Sequence, residues 1–417
     1  MTMTPPALTP TRAAGLDRLQ AFLPRAGRTY AERRNFDLGA DRRDDVSMLS
    51  PWIRHRLVRE DEVVSSVLTL HSHGAAEKFI QEVVWRTYWK GWLEMRPSVW
   101  RRYRQAVAEA VRDLDRDAGL RLRFEEATSG RTGIDCFDAW AHELCTRGYL
   151  HNHARMWFAS IWIFTLRLPW VLGADFFLRH LIDGDPAANT LSWRWVAGLH
   201  TPGKTYLARS DNIARYTGGR FDPGPQLAAE AVAIAEPHPL PGPADLPAVG
   251  DRCPDEPVLM LIGEDDCDPL SLGVPPNLIR AAAAVVLTER RSPLRVGESA
   301  RGFSRGACAD GLARAAAASA CATSTLGHDA PPVALLDLAA SAGVVHVVAG
   351  YAPVGPTAEW LTEVGPPLAA AGLRLTRLRR RWDAALWPHA RKGYFAFRKK
   401  VPGALVGLGI GPGEWLD

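Results

Sequence analysis

The sequence predicts a two-part fold, an all-helical domain followed by a doubly wound parallel-sheet α/β domain, and three observations support this. Apolar residues recur at helical spacing from residue 11 to about 221. A stretch rich in Pro, Gly and Ala follows over 222–257, as is typical of an interdomain linker. Beyond it, short apolar runs alternate with Ala-rich segments, which indicates parallel strands covered by helices on both faces.

Composition limits the classes of protein that the chain can belong to. Its 417 residues carry 50 Lys+Arg and 46 Asp+Glu, so the net charge does not by itself indicate a nucleic-acid binder. The six cysteines form no C-x-x-C pair and show no zinc-ligand spacing. We therefore expect reduced thiols and no metal site. No secretory signal and no apolar run of membrane-spanning length is evident. We therefore expect a cytoplasmic monomer without membrane contact.

The helical half is predicted element by element. Residues 1–10 are expected to form a flexible tail, and the helical domain to cover 11–221. Helical spacing and start signals then place its helices: one from Thr11 to Pro24, one starting at Ser50, and others over 77–93, 100–115, 137–147, 150–166 and 172–182.

The second half is predicted in the same way. We expect an α/β domain over 258–402 and a terminal loop over 403–417, whose glycines precede no helix. Apolar runs predict its strands: 258–263, 284–288, 333–338, 344–350 and 373–378.

The stretch from His180 to Gly198 holds the densest group of polar and aromatic residues. Asp185 followed by Pro186 indicates a helix start, and the helix is expected to run to about Ala197 with Gly198 as its stop. Asn189 and Trp193 lie four residues apart and share a face. The stretch is either the floor of a ligand pocket or a well-capped core helix anchored by tryptophans.

Two further helices carry polar residues on apolar faces. In the segment 150–166, Asn152, Arg155 and Met156 share a face that we expect to be buried. A buried arginine needs a partner, and Asp183 is the predicted one. In the segment 77–93, helical spacing turns Glu82 and Arg86 toward the same side as the tryptophans.

Five motifs together resemble the flavin-binding helical domain of the DNA photolyase/cryptochrome family. They agree with the family in order and spacing over residues 11–221: V-S-M-L-S-P at 46–51 with Tyr30 upstream, Glu82 with Trp85 and Arg86, Gly130-Arg131-Thr132-Gly133, His151-Asn152 with Arg155-Met156, and D-G-D-P-A-A-N with W-R-W between Asp183 and Trp195.

The resemblance implies an FAD site. Tyr30, Ser47, Leu49 and Ser50 would hold the flavin phosphates, and Arg86 and Asn152 would lie beside the cofactor. Asp183, paired with Arg155, and Asp185 would contact the ribityl or isoalloxazine edge, while Asn189 would face the flavin N5. The family also uses an antenna chromophore, whose residues cannot be placed here.

The resemblance also implies a reaction and a partner. Damaged DNA would be the partner, and the residues that match the pyrimidine-dimer pocket are Glu82, Trp85, Asn152, His153, Met156 and Trp195. Glu82 would stabilise the substrate, and Asn189 would tune the flavin N5. Trp193 and Trp170 would relay electrons to the flavin. Trp100 or Trp140 would be the third relay residue.

The sequence departs from the family pattern at several points. Four positions or segments differ from those usual in the family: Val46, Thr87, His153 and 190–192. The last two changes lie on the substrate side. The α/β half follows the helical half instead of preceding it, and its segment 382–397 resembles the one that closes the family's α/β domain. We expect transposed domains that dock similarly in space.

Three functions remain open at this point. The preferred hypothesis is a deoxyribodipyrimidine photolyase-like lyase, in which blue light drives electron transfer from reduced FAD to a pyrimidine dimer in DNA. The alternative is a cryptochrome-like photoreceptor that signals through flavin photoreduction. The third is a helical scaffold without flavin.

Overall fold

The N-terminal half of the molecule is built from helices. The computed structural model describes residues 8–248 and 252–411. Up to residue 216 its α-helices are α1 Arg12–Phe22, α2 Arg28–Arg33, α3 Ser50–Arg54, α4 Glu60–Leu70, α5 His73–Glu94, α6 Pro97–Arg116, α7 Ala118–Thr128, α8 Asp135–Arg147, α9 Asn152–Ser160, α10 Trp170–His180, α11 Pro186–Val196 and α12 Ser210–Tyr216. The all-helical prediction for this half is confirmed.

Local chemistry sets the limits of these helices. Ser72 caps α5 by accepting a hydrogen bond from the Ala75 amide, which satisfies one of the free donors at a helix start. Helix α8 ends at Gly148 in the left-handed conformation, where glycine carries no steric penalty. The predicted helix over 150–166 is divided, because α9 passes into a π-helical turn over Ile161–Thr165.

The C-terminal half contains a five-stranded parallel sheet, so the predicted α/β class is confirmed. Its strand order is β3-β2-β1-β4-β5, which is the doubly wound arrangement. The strands are β1 Val258–Gly263, β2 Ile279–Val285, β3 Ala322–Leu326, β4 His346–Gly350 and β5 Arg374–Leu378. The helices are α13 Glu298–Ser319, α14 Pro332–Ala342, α15 Pro356–Ala370, α16 Arg381–Leu386, α17 Tyr394–Arg398 and α18 Val401–Gly407.

Several predicted elements of this half are wrong. The segment 333–338 is helical within α14, because Pro332 starts the helix and Gly343 ends it in the left-handed conformation. The strand predicted over 284–288 starts earlier, at Ile279, and β3 was not predicted. The expected terminal loop 403–417 begins inside α18, and its residues 412–417 lie outside the described part.

The predicted linker runs over the surface of the helical half. Within its described residues, Arg96 donates to the Pro241 carbonyl and the Ala244 amide donates to the Met95 carbonyl; residues 249–251 lie outside the description. Of the expected tail, residues 1–7 also lie outside it. Thr9 is anchored, since its carbonyl accepts from the Trp52 indole.

The two halves pack against each other along α5. The Trp382 indole donates to the Thr87 hydroxyl at 2.8 Å, and a Cβ on Gly91 would lie 2.9 Å from the Trp387 Cα. Glycine at this position therefore permits backbone-to-helix contact. Among the described helices, none combines the length and the apolar character needed to cross a bilayer.

Candidate functional site

Helix α11 forms as the sequence predicts. Asp185 precedes it in an extended conformation, and its carboxylate accepts a hydrogen bond from the Ala188 amide at 2.9 Å. Pro186 occupies the first helical position, and Gly198 follows the end with a φ of +79°. The capped helix is thus confirmed, and its N-terminus lies beside the main cavity of the helical half.

This cavity, termed here the helical cavity, has a volume of about 170 Å³. It brings together nine of the predicted site residues, although they are spread over more than 150 positions of the chain. Its lining is Tyr30, Val46, Ser47, Met48, Leu49, Ser50, Ile53, Phe79, Glu82, Val83, Arg86, Tyr149, Leu150, Asn152, Arg155 and Asp183.

The predicted pair of Arg155 and Asp183 is present at the cavity wall. The guanidinium Nη2 of Arg155 lies 3.0 Å from Asp183 Oδ2. Burial opposes ionisation of Asp183, but Arg155 and Arg86 outweigh it and lower the pKa of this carboxyl. The second oxygen, Oδ1, is buried and accepts no hydrogen bond of normal geometry in the described chain, although the nearby Ser50 hydroxyl also favours the ionised form of Asp183. A ligand with a hydrogen-bond donor would satisfy it.

The carboxylate of Asp185 is held by cations. Lys90 Nζ lies 3.5 Å and Arg86 Nη1 3.8 Å from its Oδ2. Burial alone would raise the pKa of Asp185. The positive charges of Lys90, Arg86 and Arg54 outweigh this effect and lower the pKa to about 2. The carboxylate is therefore ionised at neutral pH and serves as an acceptor at the start of α11.

The segment 46–50 supplies hydroxyl and amide groups to the cavity. Arg18 fixes its backbone by donating to the carbonyls of Ser47 and Val46, and Met48 has a positive φ of 54°. The Ser47 hydroxyl accepts from the Leu49 amide at 3.3 Å. Hydroxyl and amide donors at a cavity with Arg86 and Arg155 suit an anionic ligand.

The Glu82 carboxylate faces the cavity and forms an ion pair with Arg34. Burial raises the pKa of Glu82, and Arg34 opposes this shift. Arg34 was missed by the sequence analysis, although its position four residues after Tyr30 was an available signal. The arrangement places a carboxylate and a cation together at the same wall.

Asn152 differs from its prediction. It lines the cavity but is exposed rather than buried. The reason is its place as the first residue of α9, directly after the capping residue His151. The expectation that burial forces Asn152 to find partners is therefore wrong, whereas its contact with a ligand stays a prediction.

Other predicted site residues lie outside the lining of the helical cavity. The Asn189 amide is buried and donates to the Ala174 carbonyl at 2.8 Å. Trp85 stacks on Tyr394 of α17, with ring centroids 3.3 Å apart and an angle of 8°. Trp195 stacks on Tyr206 instead of reaching Trp85. The substrate residues predicted around Trp85 are thus less closely grouped than the cofactor residues.

The remaining two substrate residues are half-buried on α9. His153 stacks on Trp157 at 4.3 Å and hydrogen-bonds the Asn35 carbonyl through Nδ1. Burial lowers its pKa. Met156, one turn along, is not part of the cavity lining. Their contact with a substrate stays a prediction.

The tryptophans predicted to relay electrons are buried. Trp193 packs on α10 at Gly173, where a Cβ would clash with its ring. Gly173 lies one helical turn from Trp170. Tyr103 lies between Trp170 and Trp100, at 5.9 and 5.3 Å from their ring centroids. Trp140 stacks on Trp157 instead. Of the two predicted third residues, Trp100 is thus the one linked to Trp170 by an aromatic neighbour.

A second opening, termed here the strand-end crevice, lies where β1 and β4 end. It has a volume of only about 10 Å³ and is lined in part by Asp265, Asp266 and Tyr351. Arg380 binds Asp266 through two contacts of 2.6 Å, and Arg54 lies 2.6 Å from Asp265. The residues present do not fit an antenna chromophore in this crevice.

The described chain is thus a helical domain with a ligand-sized cavity, joined to a doubly wound α/β domain. Residues 79–228 match the family model described as the FAD binding domain of DNA photolyase. The deoxyribodipyrimidine photo-lyase of Streptomyces griseus is 33% identical over 213 residues, covering 48% of this chain and 44% of the relative. That of Agrobacterium fabrum is 31% identical over 217 residues, covering 51% and 43%.

Two solved structures align with about half of the chain. A bacterial class III photolyase from Agrobacterium tumefaciens aligns with a TM-score of 0.41 at 25% identity, covering 50% of this chain and 43% of that chain. A Synechocystis cryptochrome aligns with a TM-score of 0.39 at 25% identity and the same coverage. The matches span less than half of the length of the curated relatives. Over about half of its length the chain is thus similar to DNA photolyases, and the matching family model lies within its helical half and the start of the linker.

Proposed function

We propose that the protein binds FAD in the helical cavity and uses it for light-driven repair of pyrimidine dimers in DNA. The observation that carries the proposal is the grouping of Glu82 with the cofactor residues Arg86, Asp183 and Arg155 in one cavity. Photolyase relatives and the matching FAD-domain model support it.

The residues fit the cofactor in kind. The unpartnered Asp183 oxygen accepts a donor of the flavin, and Arg86 and Arg155 offset its phosphate charge. Ser47, Ser50 and Tyr30 offer hydroxyl groups. Reduced FAD, when bound, supplies the light-excited electron that opens the cyclobutane ring and receives it back.

Glu82 has the role of holding the substrate. Its carboxylate accepts a hydrogen bond from the edge of a flipped-out base, while Arg34 favours the ionised form and can pair with a DNA phosphate. Because both side chains stay partly exposed, they can exchange partners without leaving a buried charge.

The test is repair of a dimer-containing oligonucleotide by full-length protein loaded with fully reduced FAD under blue light. We expect wild-type protein to restore the bases. Glu82→Gln should bind the damaged oligonucleotide about 10- to 150-fold more weakly, since one charge-assisted hydrogen bond contributes about 1.5–3 kcal/mol. Glu77→Gln, a more exposed position on α5, is the matched control. Wild-type protein that leaves the dimers intact would refute repair.

A second candidate, a flavin-based photoreceptor, is favoured by the contact between Trp85 and Tyr394. Tyr394 covers the face of Trp85 that a flipped-out base would otherwise occupy. Absence of damaged-DNA binding, together with a light-dependent change in oligomeric state, would select this function over repair.

A further inference from the structure

The ammonium group of Lys90 lies in an unusual environment. The side chain is 2% exposed, and Nζ makes no hydrogen bond in the described part of the chain. Asp185 Oδ2 lies 3.5 Å away. A buried charge without hydrogen bonds is unfavourable unless nearby opposite charges compensate for it. The position of Lys90 therefore depends on the carboxylates around it.

Helix α5 connects Lys90 to both halves of the molecule. Glu82 and Arg86 line the helical cavity. The Thr87 hydroxyl accepts a hydrogen bond from the Trp382 indole, and Gly91 lies against the Trp387 backbone. Lys90 lies on the same helix, between Thr87 and Gly91. Thr87, one of the positions that depart from the family pattern, thus serves the contact with the C-terminal half.

A second charged pair lies beside Lys90. Arg56 binds Asp383 of α16 through contacts of 2.6 and 2.8 Å and lies 3.5 Å from Glu60. Burial opposes ionisation of Glu60, but Arg56 and Lys90 outweigh it and lower its pKa. Lys90 also favours the ionised form of Asp383. Its charge is therefore shared between Asp185, at the start of α11, and a pair that anchors the C-terminal half.

We propose that Lys90 is a positioning residue for the cofactor site, holding the Asp185 carboxylate ionised at the start of α11. Contacts of α5 with the C-terminal half keep Lys90 in place. This inference rests on the proposed function in taking FAD as the cofactor. The other groups facing Asp185 are Arg86 of α5, Arg54 of α3 and the Ala188 amide of α11.

Removal of Lys90 should change how cofactor binding depends on pH. With Lys90 present, the pKa of Asp185 is about 2, so the carboxylate stays ionised from about pH 5 to about pH 8. Without it, burial raises the Asp185 pKa. A protonated Asp185 is a poorer acceptor and cap, so affinity for FAD should fall as the pH falls.

The experiment compares Lys90→Met, Lys90→Arg and the exposed control Lys204→Met in the full chain. FAD affinity is measured by flavin fluorescence at about pH 8 and about pH 5.5. Lys90→Met should bind within about threefold of wild type at the higher pH and about tenfold more weakly at the lower pH. Lys90→Arg and Lys204→Met should show no such change.

A second readout needs no cofactor. Infrared difference spectra should show a protonated carboxyl band in Lys90→Met at low pH, and the band should vanish in Lys90→Met with Asp185→Asn. Because the double variant removes both charges of the pair, it should be soluble even if Lys90→Met is not.

Several results would overturn the role of Lys90: wild-type-like affinity at both pH values, equal weakening at both, an absent carboxyl band, or an insoluble double variant. Wild-type protein that binds no FAD would instead contradict the proposed function, and the infrared band would still decide whether Lys90 controls Asp185.

Discussion

The helical cavity and the strand-end crevice are both lined by aspartates, but they differ in space and in free acceptors. The helical cavity measures about 170 Å³, and Asp183 keeps one oxygen without a partner. The crevice measures about 10 Å³, and both oxygens of Asp266 are bound by Arg380. Doubly wound folds usually bind ligands at such a crevice, yet here arginines pair with the two aspartates that line it.

Pairing of charges therefore distinguishes the two sites, because arginines occupy the carboxylates of the crevice. In the crevice, Arg54 and Arg56 reach across from the helical half to the carboxylates that follow β1. The C-terminal half therefore uses the ends of its strands for contact with the other half. The helical cavity keeps acceptors that are free for a ligand.

The largest expected effect comes from breaking a charge pair between the halves. Asp383→Ala leaves Arg56 buried with more distant partners only, Glu60 and Asp266 at 3.5 Å. We expect the free energy of unfolding to fall by about 3–5 kcal/mol. Urea unfolding followed by tryptophan fluorescence measures it. Asp245→Ala, which removes an exposed partner of Arg391, should leave stability unchanged. Equal stability of both variants would show that the buried pair does not hold the halves together.

A smaller effect is expected at the backbone contact of α5. Gly91→Ala would place a Cβ 2.9 Å from the Trp387 Cα, and the resulting displacement should cost about 1–3 kcal/mol. Gly74→Ala on the same helix meets no atom within 4 Å and should be neutral or stabilising by up to about 1 kcal/mol. Thermal unfolding of the two variants makes the comparison. A neutral Gly91→Ala would mean that the halves can separate there at no cost.

Much of the surroundings of the helical cavity follows from sequence because its signals are local. The cap at Asp185, the Pro186 start and the Gly198 stop are encoded within a few residues. The pairing of Arg155 with Asp183 was also predicted and is present, although it is Asp183 that is buried and Arg155 is half-buried. These elements were predicted and are confirmed.

Contacts between distant residues leave no local pattern. Tyr394 stacks on Trp85 from the other half of the chain, and Arg34 reaches Glu82 from a short helix. In the C-terminal half, the apolar run of α14 is too short to separate strand from helix. The alanines of β2 resemble a helix, although they form a buried central strand.

The central claim is that the helical cavity holds FAD, and titration of the flavin-free full chain with FAD tests it most directly. We expect one FAD per chain, and about tenfold weaker binding by Arg155→Met, which unpairs Asp183. Arg209→Met, at an exposed ion pair, should bind like wild type. A wild-type protein that takes up no FAD, or an Arg155→Met variant that binds it equally tightly, would contradict the claim.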